Sequence, residues 1–212
     1  MTDVADPPKA DCYSAGERGA MVWWQDLRAR ALAPLLSFAE RCGIQADHVT
    51  LASMVFGLAF CPLWLWPGQP AWAKVAALGG LMLHMLLDGL DGPLARHLGT
   101  ASRRGSFTDT VADQFVVTTS TLALMTAPSG TLDVWVGGLY VFLYAMVVAF
   151  AMVRNALGVP YSWLLRPRFW VYAWIAVDAY LLPGWLNLVV GLFAAVLAWK
   201  LWTGFVALRR LL

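Results

Sequence analysis

A chain of 212 residues that is 60% hydrophobic and only 13% charged carries about half the charge of a soluble domain, where roughly 25% is usual. With 12 Trp and a mean hydropathy of +0.63, the composition excludes a disordered chain, a collagen-like repeat and a solvated helical array. It points to an integral membrane protein, whose interfaces favour Trp. The formal net charge of +2 implies no nucleic acid, and the three cysteines (Cys12, Cys42, Cys61) lack the paired spacing of a disulfide framework or a zinc site.

In chain order, residues 1–19 are polar, with Pro7, Pro8 and four carboxylates. They have no apolar run, so a flexible N-terminus without a cleavable signal peptide is expected. Residues 20–48 mix Trp23, Trp24, Leu27, Leu35 and Phe38 with Arg28, Arg30 and Arg41. This pattern predicts an interfacial amphipathic helix, apolar side down and arginines toward anionic headgroups, with a kink at Pro34.

Residues 49–212 are predicted to form a transmembrane catalytic domain. A helix needs about 20 apolar residues to cross the hydrocarbon core. Residues 49–66, 71–90, 114–132 and 134–153 meet that need, and residues 169–199 read as two helices turning at Pro183-Gly184. Six spans place segments 1–48, 91–106, 154–168 and 200–212 on one side, and these hold 14 of the 15 Lys and Arg residues. By the positive-inside rule that side is the cytoplasm, whereas five spans would put Arg209 and Arg210 outside. The expected architecture is an all-α integral membrane protein. It has six transmembrane helices preceded by an interfacial helix, with both termini and the active site cytoplasmic.

After residue 48 there are six acidic residues, and four of them are Asp88, Asp91, Asp109 and Asp113. A carboxylate within a span costs roughly 2.5–3.5 kcal/mol on insertion scales, so four together need compensation. Asp88 and Asp91 are three apart and Asp109 and Asp113 four apart, so each pair shares a helix face. The 17 residues between Asp91 and Asp109 let the two helices run antiparallel and the carboxylates converge. Pairing with Arg96, Arg103, Arg104 or Arg154 is one use for them. The other is hard divalent cations, for which oxygen-only ligation selects Mg²⁺, Mn²⁺ or Ca²⁺ over zinc. Two such ions on a phosphate ester serve phosphoryl transfer.

The stretch Asp88-Gly-Leu-Asp91-Gly92-Pro-Leu-Ala95-Arg96, then eight residues, Gly105, three residues, Asp109, three residues and Asp113 resembles a family signature. It is that of the class I CDP-alcohol phosphotransferases (CDP-alcohol phosphatidyltransferases), and every fixed position and gap agrees. The resemblance implies an enzyme of phospholipid biosynthesis that moves a substituted phosphate from a CDP-alcohol to a hydroxyl and releases CMP. It implies two Mg²⁺ ions, or Mn²⁺, held by Asp88, Asp91, Asp109 and Asp113, with Asp113 also the general base. It makes Gly92, Ala95 and Gly105 the small residues that admit cytidine, against a reading as helix–helix packing. Arg96 then contacts the nucleotide and Ser102 a phosphate. Asp47-His48-Val49-Thr50 resembles the family's polar turn at the CDP moiety, so Asp47 and Thr50 join the nucleotide site unless Asp47 is only an N-cap.

Arg154, Arg166 and Arg168 are candidates for an acceptor phosphate, bound bidentately; the positive-inside rule alone also explains arginines there. The expected partners are CDP-diacylglycerol or another CDP-alcohol, a small alcohol or polyol-phosphate acceptor, and membrane lipid. The same signature serves a CDP-aminoalcohol donor with diacylglycerol as acceptor. A divalent-cation transporter is the reading from another class, but its polar residues would be spread through the membrane depth. His84, one turn before Asp88, reads as hydrogen-bonded within the bundle or as a partner of a metal ligand. Asp178 has no assigned role. Gly79-Gly80 and Gly137-Gly138 can pack within one bundle or between two protomers of a homodimer.

Overall fold

The structure, a computed structural model, describes residues 15–157 and 166–210. Residues 1–14 of the expected polar N-terminus, Cys12 among them, lie outside the described residues. Those described form helices joined by short turns, with no strand. The first helix, α1 (Ala15–Arg41), runs unbroken through Pro34, and the left-handed Gly43 turns the chain into the bundle.

The first apolar stretch is two helices, α2 (Ala46–Leu58) and α3 (Phe60–Trp64). Pro62 lacks the N–H that would bond to the Leu58 carbonyl, which accounts for the break between them. α4 (Ala71–His97) continues well past the apolar run and carries the whole Asp88–Arg96 segment on one helix. α5 (Arg103–Thr126) starts after only residues 98–102, with Ser102 as its N-cap. α6 (Val134–Ala156), α7 (Pro167–Tyr180) and α8 (Leu186–Arg209) complete the bundle.

Four segments are long and apolar enough to cross a membrane: Ala46–Trp64, Ala71–His97, Val134–Arg154 and Leu186–Arg209. The helices at the other two expected spans fall short of that length or hydropathy for physical reasons. The first half of α5 is too polar, holding Arg103, Arg104, Asp109, Asp113 and Gln114. The 14 residues of α7 reach only about 21 Å at 1.5 Å per residue, short of a core about 30 Å thick.

α2 packs on α4 and α5, α6 on α8, and α7 lies between α4 and α8. The core holds Phe60, Leu81, Leu124, Tyr140, Tyr172 and Leu197, while Trp135, Trp199, Leu86 and Leu192 face outward. Each expected glycine pair divides between an inward and an outward position. A Cβ on Gly80 would stand 2.8 Å from the Phe56 carbonyl oxygen and one on Gly137 2.5 Å from Met125 Sδ, whereas Gly79 and Gly138 meet nothing within 4 Å. Asp178 accepts from the backbone N–H groups of Trp185 and Leu186, both at 2.8 Å, and so caps the start of α8 across the Pro183-Gly184 turn.

Candidate active site and metal centre

Close approach of three helices builds the site. Gly80 lets α4 touch the α2 backbone, and Gly57 on α2 stands where a Cβ would be 2.6 Å from Val116 of α5. α4 and α5 then bring Asp88, Asp91 and Asp109 together, each offering one oxygen, and these oxygens all lie within 4.8 Å of one another. Asp88 and Asp91 are buried and Asp109 is half-buried. Thr50 Oγ1 donates to Asp91 Oδ2 at 2.8 Å, and the Gly92 N–H donates to Asp91 Oδ1 at 2.6 Å. Both oxygens of Asp91 are therefore oriented from outside, as second partners do for metal ligands. A compact set of carboxylate oxygens, without thiolate or imidazole, fits a hard cation such as Mg²⁺ or Mn²⁺.

Asp113 stands one turn along α5, outside that trio. Arg168, at the start of α7 and buried, donates through Nη2 to Asp88 Oδ2 at 2.6 Å and pairs through Nη1 with Asp113 Oδ2. One guanidinium thus links a carboxylate of α4 to one of α5. His84 is buried, with Nδ1 2.8 Å from Ser53 Oγ, whose hydroxyl also reaches the His84 carbonyl at 3.0 Å. Its Nε2 has no hydrogen-bond partner and faces Asp113 Oδ1 at 3.9 Å. That distance is too long for a hydrogen bond. The intrabundle reading of His84 accounts for Nδ1, and the ring edge that remains is aimed at Asp113.

Above the carboxylates opens a cavity of about 1120 Å³. Asp47, Thr50, Gly92, Ala95, Arg96, Ser102 and Gly105 all line it, with Asp88, Asp91 and Asp109 at its floor. A Cβ on Gly92 would meet only the tip of Arg96, at 3.5 Å, and one on Gly105 only Ser102 Oγ, at 3.3 Å. These glycines open the cavity and do not serve helix contact. Pro93 has no N–H for the carbonyl of Gly89, another residue of the lining, so that oxygen also receives no helical hydrogen bond.

Three details differ from the sequence reading. The N-cap of α2 is Gln45, and Asp47 lies exposed in the first turn, free of capping duty. Ser102 Oγ accepts from the Gly105 N–H at 3.0 Å, so its first task is to start α5. The three acceptor arginines are separated: Arg166 lines the cavity and Arg168 bridges Asp88 and Asp113. Arg154 lies beside Gly204 of α8, outside the lining.

Two features were not anticipated. His97 Nε2 meets Glu40 Oε2 at 2.9 Å, tying the end of α4 to α1. Arg28 of α1, expected to face headgroups, lines the cavity with Arg96 and Arg166. Burial, then the Arg166 and Arg96 cations, lower its guanidinium from the ordinary arginine value, while Asp88 and Asp91 oppose them. Nothing in the spacing of Arg28 distinguishes it from Arg30.

Residues 44–206 match the family model described as CDP-alcohol phosphatidyltransferase. The chain is 37% identical over 86 residues to the archaetidylinositol phosphate synthase of Aeropyrum pernix, covering 41% of this chain and 42% of that one. It is 32% identical over 85 residues to the phosphatidylinositol phosphate synthase of Streptomyces avermitilis, covering 40% of this chain and 33% of that one. The alignments therefore span well under half of each curated relative. Among solved structures, the Mycobacterium tuberculosis phosphatidylinositol phosphate synthase with CDP-DAG bound superposes with a TM-score of 0.69 at 18% identity, over 84% of this chain and 93% of that one. The same enzyme in complex with manganese and citrate gives 0.67 at 17% identity, over 82% and 87%. At that identity the likeness shows a shared fold.

Proposed function

The chain belongs to the CDP-alcohol phosphatidyltransferase family, a family of transferases, and from that membership we propose that it transfers the phosphatidyl group of CDP-diacylglycerol to a polyol phosphate, releasing CMP. The observation that carries the reading is the juxtaposition of three converging carboxylates with a cavity opened by Gly92 and Gly105. Similarity to enzymes that make phosphatidylinositol phosphate and archaetidylinositol phosphate supports a phosphorylated polyol as acceptor. A fold shared with a structure holding CDP-DAG supports the donor.

In the reaction the acceptor hydroxyl oxygen bonds to the phosphorus that carries the diacylglycerol, and the bond from that phosphorus to the CMP oxygen breaks. Asp88, Asp91 and Asp109 would hold two Mg²⁺ or Mn²⁺ ions, Asp113 joining them, and those ions supply neutralisation of the diphosphate and of the departing CMP. Asp113 takes the acceptor proton, with Arg168 fixing its carboxylate in place. Gly92, Ala95 and Gly105 leave room for cytidine, flanked by Asp47, Thr50, Arg96 and Ser102. Arg166, which lines the cavity, meets the acceptor phosphate, and Arg168, engaged with Asp88 and Asp113, adds its positive charge nearby. Arg154 stands apart from the acceptor phosphate, beside Gly204 of α8.

In the membrane, six spans with cytoplasmic termini place this cavity at the inner leaflet. α5 and α7 then cross as part of the bundle, and α1 lies along the surface with Trp23 and Phe38 toward lipid. The donor's acyl chains stay in the leaflet while its headgroup enters the cavity.

The test is CMP release by purified protein with CDP-diacylglycerol and Mg²⁺, across inositol phosphate, glycerol phosphate, serine and inositol. Release with one polyol phosphate, lost in Asp113→Asn and on chelation, is expected. Release with serine or inositol alone would replace the acceptor assignment. No release with any of the four, from folded protein that binds CDP only when Mg²⁺ is present, would mean a different acceptor or donor.

A further inference from the structure

Three guanidinium groups from separate elements line one cavity: Arg28 of α1, Arg96 of α4 and Arg166 ahead of α7. Like charges gathered in a partly buried space repel one another unless an anion lies among them. Two of the three carboxylates on the cavity floor already have partners, Asp88 in Arg168 and Asp91 in Thr50 and the Gly92 N–H, and no hydrogen bond or ion pair joins any of the three to Arg28. Arg28 Nε is buried without a hydrogen-bond partner, although a guanidinium has five N–H donors to satisfy. Arg28 also precedes the family-matched stretch, which begins at residue 44. α1 is held against the site by the Glu40–His97 pair, and Glu40 itself lines the cavity.

We propose that Arg28 is a substrate-binding residue that reaches from α1 into the cavity and binds a phosphate group together with Arg96 and Arg166, making α1 a wall of the active site. The inference rests on the phosphatidyltransferase reading, in which both substrates carry phosphate. The diphosphate of the CDP-alcohol and the phosphate of the acceptor are the two sources of that ligand. The exposed Arg30, two residues along the same helix and outside the lining, separates a cavity role from general attraction of α1 to anionic lipid.

The experiment measures KM and kcat of full-length protein, wild type and Arg28→Gln, Arg28→Lys and Arg30→Gln, varying CDP-diacylglycerol and the acceptor in turn. Loss of a charge-assisted phosphate contact should raise one KM about tenfold or more in Arg28→Gln. A smaller rise is expected in Arg28→Lys and none in Arg30→Gln. A rise in donor KM assigns the diphosphate, and a rise in acceptor KM assigns the acceptor phosphate. Unchanged KM for both substrates, or an equal rise in Arg30→Gln, overturns the proposal.

Failure of the underlying reading is separately visible, because wild type would then release no CMP. In that case calorimetry with CDP and with inositol phosphate, each with Mg²⁺, decides the matter. Weaker binding in Arg28→Gln alone supports the role of Arg28. Equal affinities, or binding to neither probe, reject it.

Discussion

Arg168 Nη2 lies 2.6 Å from Asp88 Oδ2 while Nη1 of the same guanidinium pairs with Asp113. Two carboxylates on different helices thereby share one buried cation. Only a planar fork with two separated N–H groups reaches both, and a lysine ammonium is a single point of charge. Arg168→Lys is expected to keep the fold and lose at least about tenfold in turnover, through misplacement of Asp113. Arg168→Ala leaves two carboxylates without their partner; breaking a buried pair typically costs about 3–5 kcal/mol, which predicts a clear drop in thermal midpoint. Wild-type turnover in Arg168→Lys would show that the bridge does not position Asp113.

The hydrogen bond from Thr50 Oγ1 to Asp91 Oδ2, at 2.8 Å, yields a prediction about metal demand. Thr50→Val keeps the shape and removes the donor. Loss of such an outer partner commonly weakens metal affinity about 10–100-fold. The Mg²⁺ concentration giving half-maximal CMP release should therefore rise by that order, while the rate at saturating Mg²⁺ falls much less. A loss of maximal rate with an unchanged Mg²⁺ requirement would place Thr50 at the nucleotide instead of behind the metal ligand.

The aspartates were legible in the sequence because carboxylates in apolar helices are costly and therefore stand out, and their spacing of three and four fixes a shared face. Spacing says nothing of what comes from the facing helix. Arg168 and Arg154 look alike as membrane-flanking cations, yet one bridges Asp88 and Asp113 and the other stands beside Gly204. The sequence groups Arg28 with Arg30 as headgroup contacts, because an amphipathic pattern reports a polar face and not the cavity that face overhangs. Counting apolar residues, a measure blind to where helices start and stop, gives spans at 114–132 and 169–182. α5 begins at Arg103 with a polar first half and ends at Thr126, and α7 has 14 residues. The sequence assigns Asp178 no role because its partners, the Trp185 and Leu186 N–H groups, lie across a turn, at the start of another helix.

Those two N–H groups make Asp178 a stability residue. Asp178→Asn preserves an acceptor oxygen and should leave the thermal midpoint nearly unchanged. Asp178→Ala removes it from both donors, and loss of a helix cap costs about 0.5–2 kcal/mol. CMP release per folded molecule should be the same in both variants. A turnover defect in Asp178→Asn at wild-type stability would mean that the charge, rather than the cap, matters.

Gly79 and Gly80 are adjacent on α4 but face different surroundings, which makes them a matched pair for testing how the site is assembled. A methyl group at Gly80 would sit 2.8 Å from the Phe56 carbonyl oxygen, a backbone atom that moves only if α2 moves. Overpacking of this kind costs about 1–3 kcal/mol, and here the displaced α2 also carries Thr50 away from Asp91. Gly80→Ala should therefore lower the thermal midpoint and raise the Mg²⁺ requirement together. Gly79→Ala meets nothing within 4 Å and gains helix propensity, about 1 kcal/mol in a solvated helix, so equal or higher stability with normal turnover is expected. Equal behaviour of the two variants would mean that α2 and α4 are not held at the separation seen here. The route from the glycine contact to the orientation of Asp91 would then fail with it.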